Sequence, residues 1–231
     1  MTTVFNSKNK QDHTKAKAFL DPSGGVTIQR YDMLKYKQFD KLTDKQLGFF
    51  WRPEEVDCHK DANDFNNLTE NERHIFTANL KRQIILDSVQ GRSPDLALLP
   101  LASNPELELL IETWAFFETI HSRSYTHVIR NVYPNPSKVF DEITSIPAIS
   151  ECGNAISEHY DNLINYRGSH GSSKHKKLLY LCLISISAPS LAYLALRVFV
   201  GWEKFSSKLK PKPLPSLRCL SLCLIKLSQV P

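Results

Sequence analysis

One helix-length segment constrains this chain more than any other. Leu107, Ile111, Trp114, Glu118, His121, Tyr125 and Val128 recur at alternating intervals of four and three residues. That spacing places all seven on one face of an α-helix. Asn104 is the predicted cap, Pro105 occupies the first helical position, and Glu106 and Glu108 suit the positive end. The helix is predicted to reach about Val132, before Pro134 and Pro136. Three members of the inward stripe are polar or ionisable. A buried carboxylate and imidazole each cost several kcal/mol unless paired, so facing elements must satisfy them.

The rest of the chain is also predicted helical. Apolar positions Leu34, Phe39, Leu42 and Leu47 suggest a helix over about 31–50. Thr69 and Glu72 form a capping box for another running to about Gln90, with Gly91 beyond it. Its apolar face carries Ile75, Phe76, Leu80 and Ile84, and Asp87 shares that face. A short helix is expected over about 137–145, and a longer one over about 148–166 with Ile149, Cys152, Ile156, Tyr160 and Leu163 inward. With only 8 glycines among 231 residues, an all-β or dinucleotide-binding sheet fold is disfavoured. The predicted class is all-α.

Charge divides the chain. Residues 1–160 carry 18 Lys/Arg and 22 Asp/Glu, whereas 161–231 carry 11 and 2. Residues 1–27, with Pro22 and Gly24-Gly25, read as a flexible arm, and 167–177 as a flexible linker. The uncharged run 178–196 has the length of a membrane span, but Ser185, Ser187, Pro189 and Ser190 favour a buried helix, so no membrane is expected. The basic 187–231 stretch reads as a divergent, disordered tail. Nucleic-acid binding is not expected of it, and Cys219 and Cys223 read as incidental. Five cysteines are too few for a disulfide scaffold, and a cytoplasmic location is the expectation.

Glu118 and His121 are spaced i, i+3, the Glu-x-x-His arrangement that supplies metal ligands inside four-helix bundles. Residue 117 is Phe, which excludes the zinc-protease His-Glu-x-x-His pattern. Asp87 adds a second carboxylate from another helix, giving a donor set suited to iron or manganese. Tyr125 follows one turn beyond His121.

Four stretches carry a family resemblance: FFWRPEEVD at 49–57, DSVQGRSP at 87–94, ETWAFFETIHSRSYTH at 112–127 and KKLLYLCL at 176–183. Over about residues 28–186 the chain resembles the small subunit of class I ribonucleotide reductase. The resemblance implies a ferritin-like helical bundle and a di-iron centre, with manganese as the alternative. It implies Asp87, Glu118 and His121 as metal ligands, Tyr125 as the radical-bearing tyrosine and Trp51 as the radical-transfer residue. Phe117 is assigned packing only. The implied partners are the reductase large subunit and, in the intact family, a second small subunit.

The resemblance also implies a second half of the metal site, with a further Glu and a second Glu-x-x-His. After residue 132 the glutamates are Glu142, Glu151, Glu158 and Glu203, and none has His three residues later. Ser190 falls where the next carboxylate belongs. The bundle is therefore expected to be incomplete at its C-terminus, through a reading-frame change or an unspliced sequence near residue 184. Such a chain is expected to be poorly soluble or molten and to form no stable tyrosyl radical alone. Two other readings are a non-catalytic fragment that associates with intact small subunits, and a membrane-anchored protein.

Overall fold

The computed structural model describes residues 5–183, and these are helical apart from loops and one isolated antiparallel bridge between Phe19 and Ala102. The helices are α1 (Lys37–Gly48), α2 (Asp61–Asn66), α3 (Glu70–Gln90), α4 (Pro105–Val132), α5 (Pro136–Asp141) and α6 (Pro147–Ile164). Residues 173–183 are helical as well. The 187–231 tail, Ser190, Cys219 and Cys223, and most of the 178–196 run lie outside the described residues. Among the described residues no helix is long and apolar enough to cross a membrane.

The capping box predicted for α3 is present. Glu72 N–H donates to Thr69 Oγ1 at 3.4 Å, and Thr69 N–H donates to Glu72 Oε2 at 2.8 Å. Gly91 ends α3 with φ −69° and ψ −14°, in the ordinary right-handed region. Its merit is space: a Cβ at Gly91 would lie 3.0 Å from the Asp87 carbonyl oxygen and 3.6 Å from Glu118 Cβ. The chain then makes a π turn (Pro94–Leu98) and a 3-10 turn (Leu99–Leu101) before α4.

α4 is the axis of the molecule, packing against α1, α2, α3 and α5, while α6 covers the other side of α3. The predicted stripe is inward, but Thr113, Ala115, Phe117, Ile120, Ser124 and Ile129 are buried too. A central helix is covered on more than one face. One apolar cluster, including Leu80, Ile84, Tyr125, Val128, Ile129 and Ile149, closes one end of the site. A second, including Leu86, Leu107, Ile111, Ile156 and Tyr160, closes the other.

Several local expectations are corrected. The first helix starts at Lys37, because the Lys35 and Tyr36 N–H groups donate to the fully buried Glu106 carboxylate, at 3.1 and 2.8 Å, and hold the preceding residues in a non-helical bend. In α1 the buried residues are Thr43 and Gln46, and Leu47 is exposed. Ile75 in α3 is exposed as well. Asn104 precedes α4 but does not cap it with its side chain, which donates instead to the His13 carbonyl at 2.7 Å. That bond, with Leu20 N–H to Leu101 O and Ser103 N–H to Ala18 O, both 2.9 Å, ties the 5–27 segment to the helices. In the predicted 167–177 linker, helix begins at 173 and His175 is buried.

Candidate metal centre

α3 delivers Asp87 from its last turn, and α4 delivers Glu118 and His121 from its middle. One ligand atom from each of the three lies within 4.8 Å of the other two. His121 Nδ1 is 3.1 Å from Glu118 Oε2 and 3.6 Å from Asp87 Oδ2, so one ring nitrogen faces both carboxylates. Trp114 Nε1–H donates to Glu118 Oε1 at 2.7 Å and fixes the other carboxylate oxygen. Tyr125 Oη–H donates to Asp87 Oδ2 at 2.7 Å.

The electrostatics match a site for a cation. Burial pushes the Asp87 carboxyl above its usual value, and the Glu118 charge adds to this against hydrogen bonds from His121 and Tyr125. For His121, burial alone favours the neutral ring. Hydrogen bonds and charge from Asp87 and Glu118 outweigh it and raise the ring to about 9. Positive charge is therefore held where the two carboxylates converge. Two carboxylates and an imidazole nitrogen suit iron or manganese better than a soft metal. The residues present fit such an ion.

Trp51 is completely buried. Its ring stacks on His121, with centroids 5.5 Å apart and planes 21° apart. Phe117 packs beside it at 6.1 Å, in keeping with the packing role expected for that residue. All five residues singled out in the sequence thus lie in one connected group.

The family model described as "Ribonucleotide reductase, small chain" matches residues 30–196. The chain belongs to the ribonucleotide reductase small-chain family. Ribonucleoside-diphosphate reductase subunit beta of Buchnera aphidicola subsp. Baizongia pistaciae is 50% identical over 205 residues, covering 81% of this chain and 54% of that protein. Ribonucleoside-diphosphate reductase 1 subunit beta of Escherichia coli O157:H7 is 50% identical over 203 residues, covering 80% and 53%. The bacteriophage T4 subunit is 46% identical over 164 residues, covering 71% and 42%. The chain spans about half the length of the relatives it matches. Among solved structures, the ribonucleotide reductase R2 subunit of Clostridium botulinum aligns with a TM-score of 0.65 at 17% identity, covering 99% of this chain and 80% of that one. The dimanganese(II) NrdF of Streptococcus sanguinis aligns at 0.56 and 18% identity, covering 59% and 49%. These structures show the fold, a ferritin-like helical bundle.

Two members of the site in this small-chain family protein are not evident from sequence reasoning. Ser124, entirely buried, accepts the Trp51 Nε1–H at 3.1 Å. Trp114 is evident as part of the stripe but not as the donor that orients Glu118. A serine inside a polar-looking Ser-Arg-Ser run carries no local signal of burial. The four-residue step from Trp114 to Glu118 is a signal, since it sets an indole N–H within reach of a carboxylate one turn on.

Proposed function

We propose that this chain carries the first half of the metal centre of a ribonucleoside-diphosphate reductase small subunit, working with the large subunit in deoxyribonucleotide synthesis in the cytoplasm. Asp87, Glu118 and His121 are the ligands in this reading, and iron is the favoured metal with manganese the alternative. Tyr125 holds the radical and Trp51 passes the oxidising equivalent toward the large subunit. The observation that carries the reading is the three-donor cluster with a phenol hydrogen-bonded to one of its carboxylates.

Bound metal supplies the oxidising power needed to take one electron from a phenol. The chain's own residues manage the proton and the solvent. A phenol that loses an electron becomes strongly acidic, and Asp87 Oδ2, 2.7 Å away, is positioned to accept the proton. Tyr125 is only 6% exposed, and Leu80, Ile84, Val128 and Ile129 belong to its apolar cluster. Such walls keep water and reductants from a phenoxyl oxygen. Trp114 orients Glu118, and Trp51 stacks on His121.

Two divalent ions about 4 Å apart need several shared carboxylates to offset their repulsion. Asp87 and Glu118 are two, and no Glu after residue 132 has His three residues on. The purified 231-residue chain is therefore expected to bind one Mn(II) weakly, and to lose it in Glu118→Ala. With Fe(II) and oxygen it is expected to give no tyrosyl doublet by electron paramagnetic resonance. Unchanged Mn(II) binding in Glu118→Ala sinks the ligand assignment. A doublet that vanishes in Tyr125→Phe overturns the argument from missing carboxylates while supporting Tyr125 as the radical site. A second reading, pairing with a full-length small subunit, is favoured by exposed Phe50 and Phe116, and co-purification with such a subunit tests it.

A further inference from the structure

We propose that His170 and His175 form a second metal site, for Zn(II), that pins the turn after α6 to the helix over 173–183. The site shares no residue with the Asp87, Glu118 and His121 cluster and does not depend on the function proposed for it.

The two histidines stand as His-x4-His, within the three-to-five-residue gap that paired zinc-binding histidines keep. Their ring centroids are 5.6 Å apart and their planes 83° apart. Two imidazoles on one tetrahedral ion, each bound through nitrogen at about 2 Å, have centroids about 5 Å apart. His170 is exposed, and a small turn of its side chain closes that difference.

His175 is the fixed member of the pair. It is 6% exposed, and its Nδ1 accepts the Gly171 N–H at 3.3 Å, which leaves Nε2 as the nitrogen for an ion. Tyr166 lies against its ring at 4.6 Å, and Tyr166 Oη meets Ser172 Oγ at 2.6 Å. Ser172 Oγ also accepts the His175 N–H at 3.3 Å and so caps the helix that begins at 173. Gly168 permits this fold, since a Cβ there would run into the Tyr166 phenol. Burial and the neighbouring His170 hold His175 below the ordinary histidine value, which favours the neutral ring that binds metal.

The donor set selects the ion. Two imidazole nitrogens suit Zn(II), and solvent completes its shell because His170 lies at the surface. Exposed Lys174, Lys176 and Lys177 follow in the sequence, and among the described residues no carboxylate forms a ligand group with the pair. Hard ions such as Mn(II) prefer oxygen donors and are not expected here. An ion held by both rings ties the turn to the first turn of the helix and restrains the segment that begins at exposed Arg167.

Calorimetric titration of the full 231-residue chain with Zn(II) tests the site. His170→Ala should lower the Zn(II) bound per chain by one, or weaken that binding by about tenfold or more. His74→Ala, which removes an exposed histidine from α3, should leave binding unchanged. Far-UV dichroism should be the same in all three chains, because both substituted residues are exposed. Zn(II) should also slow tryptic cleavage after Arg167 in the unsubstituted chain and in Glu118→Ala, but not in His170→Ala. Equal Zn(II) binding in the unsubstituted chain and His170→Ala overturns the site. Cleavage after Arg167 that ignores Zn(II) overturns the pinning of the turn. Mn(II) binding should be the same with and without His170, and its loss in His170→Ala overturns the separation of the two sites.

Discussion

His121 must lose a proton before its Nδ1 can bind a cation, and its neighbours oppose that loss. Its value rises from 6.5 to about 9 because Asp87 and Glu118 together outweigh the effect of burial. The folded value lies above the unfolded one. The stabilisation from the charged ring is therefore complete below about pH 6.5 and is lost as pH rises through about 9. Metal binding runs the opposite way, since the ion displaces this proton. Mn(II) affinity should fall as pH drops from 8.5 to 6.5, by up to about tenfold per unit. Uptake at pH 7 in weak buffer should release roughly one proton per ion from this ring. Calorimetric titration in buffers of different ionisation enthalpy measures both quantities. A pH-independent affinity without proton release removes His121 from the ligand set.

At the scale of elements, local chemistry sets where helices begin, and tertiary capture changes it. α3 begins where Thr69 and Glu72 say it should, because both halves of the capping box are made within four residues. Thr69→Ala should lower stability by about 1 kcal/mol, read as a shift in the urea midpoint with an unchanged slope. A loss below about 0.3 kcal/mol would mean that tertiary packing alone holds that end. α4 was legible for the same reason, with Pro105 at its first position and a regular stripe behind it. The start of α1 was not legible. Its residues have helical spacing, but the Lys35 and Tyr36 amides are captured by Glu106, some seventy positions later. Asn104 has the residue type of a cap, yet its amide is taken by His13, again a distant partner. The candidate site divides along the same line. Asp87, Glu118, His121 and Tyr125 follow from helical period and family motif. Ser124 depends on where the Trp51 loop lands on α4, which no local pattern encodes.

Across the whole molecule, the described helices leave an apolar patch beside the site. Phe50 and Phe116 are each 48% exposed and stack with centroids 5.9 Å apart and planes 23° apart. Phe117, the next residue on α4, is buried against Trp51, so this patch and Trp51 lie back to back through adjacent side chains. Paired exposed rings of this kind favour association over a free monomer. Completing the burial of a half-exposed phenylalanine contributes roughly 1 kcal/mol. A two-fold contact uses the ring from both copies, so Phe116→Ser should weaken self-association by about thirtyfold. Sedimentation velocity across a concentration series measures the shift. Far-UV dichroism should stay the same, because Phe116 faces outward on a helix held by its other sides. Association that persists unchanged in Phe116→Ser would place the contact elsewhere on the chain. Loss of association together with intact Mn(II) binding would show that the metal site forms within one chain, independent of any partner copy.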